Sequence, residues 1–399
     1  MQASEYCLSI YGALATPRIH EVEILKSVSP EIQEMISTDD DMGGVYLKQY
    51  YPIVVVPQEQ IVGIPKKILL SAFAYARSVF FDLAKLDEWT KEQARKVSCT
   101  SLVLILVGSE NLTAINARKR LLINNCNSAT LAEEYRLTNI LLSSRLSHHN
   151  KSPMLWNYHQ YIVSLRVRRA HSDIADRDRV RFIEDLCKLE LQTVFASAKH
   201  HFMNYYAWDN ARWIFQTLYS PLLYSPSARY YSTVYIRKFL ENIVSKVKKW
   251  CQAHASDSSA WSYFQWILFF YVDNSFRESS ADLPTSRKLD NSLLLQCVTD
   301  TIKFATTISL PHESVWCFLR RIISDSRYIS ERRKSAYIEL ISSYLKSRKN
   351  DRYPVGESYS KDISVLEEQS RTLSEYRDKE ICIIEGSINW ISVVRHLKG

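Results

Sequence analysis

The chain has 399 residues, a formal net charge of +8 and 46% hydrophobic residues, enough to bury a substantial core. Only 8 residues are glycine, a share that disfavours the many tight turns of β-sandwiches and barrels. The motifs GxGxxG, GxxxxGK[ST] and GxSxG do not occur, so a Rossmann cofactor site, a P-loop and a hydrolase elbow lack their fingerprints. These counts favour a helix-rich protein.

The cysteine pattern and the hydropathy predict a cytoplasmic protein. The eight cysteines form no CxxC pair, which is typical of buried thiols in a reducing compartment. The first 30 residues lack the basic and apolar blocks of a signal peptide. The longest apolar stretch, residues 68–83, contains Arg77 and is too short for a stable membrane span.

The N-terminal part of the chain has no regular pattern. We predict an irregular segment over residues 1–45, and an extended segment at YPIVVVP, residues 51–57. The remainder, residues 46–399, has the periodicity of helices. The predicted organisation is therefore an N-terminal segment followed by a helical-repeat domain.

Five segments of this domain align on one large apolar position, the anchor. The anchors are Ile115, Trp156, Trp208, Trp261 and Trp316, separated by 41, 52, 53 and 55 residues. An aliphatic or aromatic pair follows each anchor by six and seven residues, so anchor and pair lie on one stripe of a helix. The spacing predicts one helical hairpin per repeat.

The residue four before each anchor predicts where each helix begins. These residues are Asn111, Ser152, Asn204, Asp257 and His312. The first four side chains accept hydrogen bonds from the free amides of a first helical turn. The anchor is then the fourth residue of each helix.

Longer amphipathic helices are predicted between the capped ones, over residues 179–200 and 227–253, and a C-terminal helical cap over 361–397. Stacked hairpins of this kind form solenoids. The predicted fold class is all-α, a right-handed α-α superhelix.

The repeat sequences resemble those of protein prenyltransferase α subunits. NYYAWDNARWIF at residues 204–215 is similar to the Asn-Tyr-His-Ala-Trp motif of that family. The SPxxW pattern at Ser152, HESVWCFLRR at 312–321 and the Cys-Thr helix around Cys99 are similar to one branch, the α-like subunit of geranylgeranyltransferase type III. The resemblance covers roughly residues 50–397.

The resemblance implies an α-type subunit of a protein geranylgeranyltransferase. Such a subunit pairs with a β subunit that holds the catalytic zinc, so we expect no cofactor in this chain. The implied partner is a Rab geranylgeranyltransferase-type β subunit, the co-substrate is geranylgeranyl diphosphate, and the acceptor is a cysteine, here on a farnesylated Golgi SNARE.

Two candidate catalytic residues follow from the same resemblance. Lys151 and Tyr205 occupy the positions of the family's lysine and tyrosine beside the diphosphate. A cation and a hydroxyl at helix N-termini suit a leaving group on which negative charge grows. The alternative for Tyr205 is packing between repeats.

The chain also departs from the family pattern. A basic residue follows the anchor by three positions only at Arg118, and the other repeats have His159, Ala211, Phe264 and Leu319 there. The sequence therefore leaves open whether these repeats keep the contacts that the arginines make between repeats. A family glutamine and lysine are replaced by Met154 and Met203, which weakens the predicted recognition of carboxylate and diphosphate.

Two alternatives stay open. The departures favour a helical-repeat adaptor without catalysis. Short basic clusters at 166–169, 246–249 and 332–334 allow an RNA- or acid-binding surface, although dispersed charge more often marks a solvated helix face, so no nucleic-acid partner is expected.

Overall fold

Helices dominate the computed structural model, which describes residues 2–30, 48–225, 231–274, 291–308, 312–350 and 363–397. The all-α prediction is confirmed, with one small sheet as the exception. The chain forms two compact units, residues 1–228 and 229–399. The superhelical path of the chain as a whole stays a prediction.

The N-terminal segment is regular where it is described. Helix α1 spans Ala3–Ala15 and strand β1 spans Glu21–Leu25. The structure thus differs from the irregular segment predicted for residues 1–45, of which 31–45 lie outside the described residues. Helix α1 buries Ile10 and Leu14 and packs on the following helices, so its stability comes from tertiary packing.

A three-stranded sheet includes the predicted extended segment. Strand β2 spans Val54–Val56 and β3 spans Ile61–Pro65. Strand β3 lies between the other two, parallel to β1 and antiparallel to β2. A β-carbon at Gly63 would lie 2.6 Å from Leu25 Cδ1, so a larger residue at this position would require the Leu25 side chain to move.

Seven further helices lie in the described part of the first unit. They are α2 (Lys66–Ala84), α3 (Lys91–Val107), α4 (Leu112–Asn124), α5 (Ser128–Leu142), α6 (Pro153–Asp173), α7 (Asp176–His200) and α8 (Tyr205–Ile214). Shorter turns lie at Lys48–Tyr50, Ser147–Asn150, Phe215–Tyr219 and Ser220–Leu223. Helices α3 and α4, α5 and α6, and α7 and α8 pack as hairpins, which are the first three predicted repeats.

The second unit contains the other two repeats. Its helices are α9 (Thr233–Ala253), α10 (Ser258–Asn274), α11 (Ser292–Ile308), α12 (Glu313–Ile323), α13 (Glu331–Asn350) and α14 (Ile363–Leu397). Helices α9 and α10, and α11 and α12, pack as hairpins. The predicted C-terminal cap is the single helix α14, which packs against α12 and α13.

The predicted caps and anchors are confirmed. Each capped helix begins one residue after its predicted cap, so each anchor is the fourth helical residue. The side chains of Asn111, Ser152, Asn204 and Asp257 each accept a hydrogen bond from the amide three residues later. The five anchors are all buried. His312 begins α12 without a side-chain cap, since imidazole is a poor substitute for a short oxygen acceptor.

Candidate functional site

The two candidate catalytic residues lie at neighbouring helix N-termini in the first unit. Lys151 follows the turn Ser147–Asn150 and precedes the cap of α6, and its side chain is exposed. Tyr205 is the first residue of α8 and its side chain is 59% exposed. Because most of its side chain is exposed, Tyr205 does not simply pack between repeats, which was the alternative.

A buried hydrogen bond joins the backbone beside these two residues. Asn204 Nδ2 donates to the carbonyl oxygen of Asn150 at 2.9 Å. Trp156 Nε1 donates to the same oxygen at 2.7 Å. Because Lys151 follows Asn150 and Tyr205 follows Asn204, this contact places both candidate residues at one corner of the unit.

The corner exposes a cluster of apolar side chains, which we call the aromatic corner: Phe202, Met203, Tyr205 and Tyr206. Met203 has a positive φ of 56°, which turns the chain sharply between α7 and α8. The rings of Tyr205 and Tyr206 pack edge to face with centroids 5.7 Å apart. A cationic and a phenolic group beside two helix N-termini can bind an anion with an apolar attachment.

A network of buried polar side chains beneath the helices was missed by the sequence analysis. In its first part, Arg118 Nε and Nη2 donate to the two oxygens of Glu134 at 2.5 and 2.6 Å. Tyr158 Oη donates to Glu134 Oε1 at 2.7 Å. Arg118 lies three residues after the first anchor and Tyr158 two residues after the second, so one glutamate on α5 joins two repeats.

The second part repeats this arrangement one hairpin later. His159 Nε2 lies 3.0 and 3.1 Å from the two oxygens of Glu190, and the carboxylate also accepts hydrogen bonds from Tyr135 Oη and Asn210 Nδ2, each at 2.8 Å. Burial alone raises the pKa of Glu190, but His159, Tyr135 and Asn210 outweigh it and hold the pKa below its usual value.

The second repeat therefore keeps a contact of the kind that the sequence left open. His159 replaces the family's basic residue and still pairs with a glutamate on the next helix, because imidazole is long enough to reach it. The signal in the sequence was a pair of glutamates, Glu134 and Glu190, on the helices between anchors. Their burial could not be read from helical periodicity.

The second unit has aromatic side chains at the same two positions. Phe264, three residues after the fourth anchor, stacks on Phe318, two residues after the fifth, with ring centroids 5.0 Å apart and planes inclined by 15°. Apolar burial here joins successive repeats in place of a charged pair.

Two cavities also lie in the first unit. One, of about 240 Å³, is bordered by Tyr11, Trp89 and the Arg118–Glu134 pair. The other, of about 580 Å³, lies between the N-terminal sheet and helices α5 and α7, bordered by Gln60, Arg136 and His200. Neither cavity is lined by Lys151 or Tyr205.

Within the residues that the structure describes, no helix is long and apolar enough to cross a bilayer. No group of three or more His, Cys, Asp or Glu side chains is arranged to hold a metal ion in those same ranges. Each basic cluster has a member in an ion pair with a carboxylate: Arg169 with Asp173, Lys248 with Asp300, and Lys334 with Glu331.

The fold and the site define a protein of α-helical hairpin repeats with an exposed lysine–tyrosine corner. Three curated homologues carry the name protein prenyltransferase alpha subunit repeat-containing protein 1, or its form 1-B, which confirms the predicted resemblance. The Danio rerio protein is 23% identical over 295 residues, which are 68% of this chain and 63% of the relative.

The other two relatives show the same extent of similarity. The Xenopus laevis protein, form 1-B, is 23% identical over 73% of this chain and 61% of its own length. The Homo sapiens protein is 21% identical over 68% of each chain. The chain thus spans less than two thirds of the length of the first two relatives. A family model described as the ECM9 middle domain matches residues 155–291, which include the second, third and fourth anchors.

Proposed function

We propose that this chain is the α-type subunit of a heterodimeric protein geranylgeranyltransferase. Its hairpins would stack as a right-handed superhelix against a zinc-bearing β subunit of the Rab geranylgeranyltransferase type. The complex would act in the cytoplasm on a protein cysteine, with a farnesylated SNARE as the acceptor. The observation that carries the proposal is the location of Lys151 and Tyr205 at one exposed corner, joined through Asn150 and Asn204.

The reaction defines what this corner has to do. The cysteine thiolate attacks C1 of geranylgeranyl diphosphate, a carbon–sulfur bond forms, and the carbon–oxygen bond to the diphosphate breaks. Zinc bound in the partner would lower the pKa of the cysteine thiol and so supply a thiolate at neutral pH. Negative charge grows on the departing diphosphate, so an ammonium and a phenol beside it stabilise the transition state more than the ground state.

Electrostatics at the corner support this role. The N-terminus of α6, which begins at Pro153, carries a partial positive charge close to Lys151. Tyr205 is itself the first residue of α8 and lies at the corresponding positive end of that helix. Both side chains are exposed, which leaves them accessible to a ligand held by a second subunit.

The experiment is co-expression with a Rab-type β subunit, purification, and transfer of labelled geranylgeranyl from its diphosphate to a farnesylated SNARE. We expect a stable heterodimer whose rate falls at least about 10-fold in Lys151→Ala and in Tyr205→Phe. Matched controls are Lys91→Ala and Tyr376→Phe, which change an exposed lysine and an exposed tyrosine elsewhere. Equal rates in all four variants would contradict the assignment of Lys151 and Tyr205.

A non-catalytic adaptor is the second candidate, favoured by Met154 and Met203 at two of the family's polar positions. It predicts a heterodimer, or another complex, without transfer. Nucleic-acid binding has less support, because the basic clusters share their charge with carboxylates.

A further inference from the structure

Asn204 is a buried residue that lies between the exposed residues of the aromatic corner in the sequence. Its side chain is fully buried, while Phe202, Met203, Tyr205 and Tyr206 on either side are exposed. The carbonyl and the amide of this side chain contact different parts of the fold. Asn204 is therefore more than a helix cap.

The two ends of the side chain have separate partners. Asn204 Oδ1 accepts the hydrogen bond of the Ala207 amide at 3.3 Å and so caps α8. Asn204 Nδ2 donates to the Asn150 carbonyl and to Ser197 Oγ, both at 2.9 Å. A carboxylate can cap a helix but has no proton to donate, whereas the asparagine side chain accepts through its oxygen and donates through its nitrogen to a carbonyl at the same time.

Among the described residues, the cap of the first repeat makes the capping contact alone: Asn111 Oδ1 accepts from the Ala114 amide at 3.0 Å. Asn204 makes the same capping contact and also donates to the carbonyl oxygen of Asn150, the residue before Lys151. That oxygen accepts a second buried hydrogen bond, from Trp156. The backbone that carries Lys151 is thus fixed to the backbone that carries Tyr205.

We propose that Asn204 is a positioning residue, which holds Tyr205 at a set distance from Lys151 through the Asn150 carbonyl. The inference rests on the proposed function for its catalytic consequence. Asn204 itself does not contact the substrate. It acts by keeping two groups in the geometry that a departing anion requires, and small displacements of such groups slow a reaction substantially.

The substitution that separates the two roles is Asn204→Asp. The carboxylate still accepts the Ala207 amide, and a negative charge suits a helix N-terminus. It cannot donate to the Asn150 carbonyl, and two acceptor oxygens then face each other. Asn111→Asp is the matched control, because there the cap is retained and no such carbonyl contact is replaced.

In the heterodimer, we expect Asn204→Asp to lower kcat about 10-fold, with the KM for the diphosphate and the yield of heterodimer unchanged. Asn111→Asp should match the unsubstituted protein. In a Tyr205→Phe, Lys151→Ala background, Asn204→Asp should cause no further loss, because the groups that it positions are gone. A purely structural role predicts the same fold-loss in both backgrounds and would overturn the proposal.

A second readout does not depend on transfer. Spin labels at Lys151→Cys and Tyr205→Cys, in a chain whose accessible cysteines at 126, 317 and 382 are replaced by serine, report the distance between the two positions. We expect a narrow distance distribution that Asn204→Asp broadens and Asn111→Asp does not. An unchanged distribution would overturn the positioning role. If Asn204→Asp does not fold, Asn204→Ser retains a cap too short to reach Asn150 and takes its place.

These outcomes distinguish the two proposals. Absence of transfer by the unsubstituted heterodimer counts against the proposed function, while the spin-label distances still decide whether Asn204 positions the corner. Transfer that is insensitive to Asn204→Asp counts against the positioning role alone.

Discussion

His159 pairs with Glu190 inside the helical core, one repeat after Arg118 pairs with Glu134. Both contacts join the residue three after an anchor to a glutamate on the following helix. Glu190 has no proton to donate when ionised, so His159 Nε2 carries the hydrogen of this contact. The same relationship between repeats is thus built with two different donors, a guanidinium and an imidazole.

This pairing predicts a large cost for removing one partner. His159→Phe leaves the buried Glu190 carboxylate without its imidazole donor, and we expect the free energy of unfolding to fall by about 3–5 kcal/mol. Urea unfolding followed by circular dichroism measures the change. Arg169→Ala, which removes an exposed pair with Asp173, should cost no more than about 1 kcal/mol. Similar costs for the two variants would show that Glu190 does not depend on His159.

Acid sensitivity is expected from His149. This ring is fully buried, its Nε2–H donates to the Leu106 carbonyl at 3.0 Å, and burial together with the neighbouring His148 lowers its pKa to about 3. Below the ordinary histidine pKa, the unfolded chain binds a proton that the folded chain does not. Stability is therefore highest above pH 6.5 and falls as the pH drops from there towards 3.

One histidine changes the free energy of unfolding by at most about 1.4 kcal/mol per pH unit. We therefore expect this free energy to be about 2 kcal/mol lower at pH 5 than at pH 7. His149→Gln, which keeps a donor near the Leu106 carbonyl, should remove most of this difference. The exposed His171→Gln serves as the control and should leave the pH dependence as it was. A slope equal in both variants would assign the acid sensitivity to other groups.

The aromatic pair of the second unit should behave as a coupled apolar contact. Phe264→Ala removes a buried ring and should destabilise the unit by about 3–5 kcal/mol. A double-mutant cycle with Phe318→Ala should give a coupling energy of about 1 kcal/mol, since the rings stack directly. Strict additivity in denaturant unfolding would show that the two rings contribute independently.

The N-terminal helix should depend on Arg136. Its guanidinium donates to the carbonyls of Leu14, Ala15 and Thr16, at the C-terminal end of α1, at 2.6, 2.8 and 3.0 Å. Arg136→Ala should lower the hydrogen-exchange protection of α1 by about 2–3 kcal/mol.

The matched control for this prediction is Arg120, which donates in the same way to the carbonyls of Ala84, Leu86 and Asp87 after α2. Arg120→Ala should loosen the end of α2 and leave α1 protected. Loss of protection in α1 in both variants would indicate a general destabilisation, and the specific role of Arg136 would be wrong.

Local chemistry made the repeats predictable from the sequence. A capping oxygen, a large anchor four residues later and an aliphatic pair two turns further on all lie within one helix, and the structure confirms each of them. The N-terminal helix and strand could not be predicted in this way. Strand β1 pairs with β3, whose residues lie 40 positions further along the chain, and such pairing is decided by tertiary contacts.

The candidate site likewise has one part that the sequence predicts and one part that it does not. Sequence alone determined that Lys151 and Tyr205 lie at the beginnings of successive capped helices, because the caps at Ser152 and Asn204 mark those positions. Only the tertiary structure decided that Asn204 also donates to the Asn150 carbonyl. A helix cap is a contact over three residues, whereas that hydrogen bond spans 54 residues and forms only once two hairpins have packed.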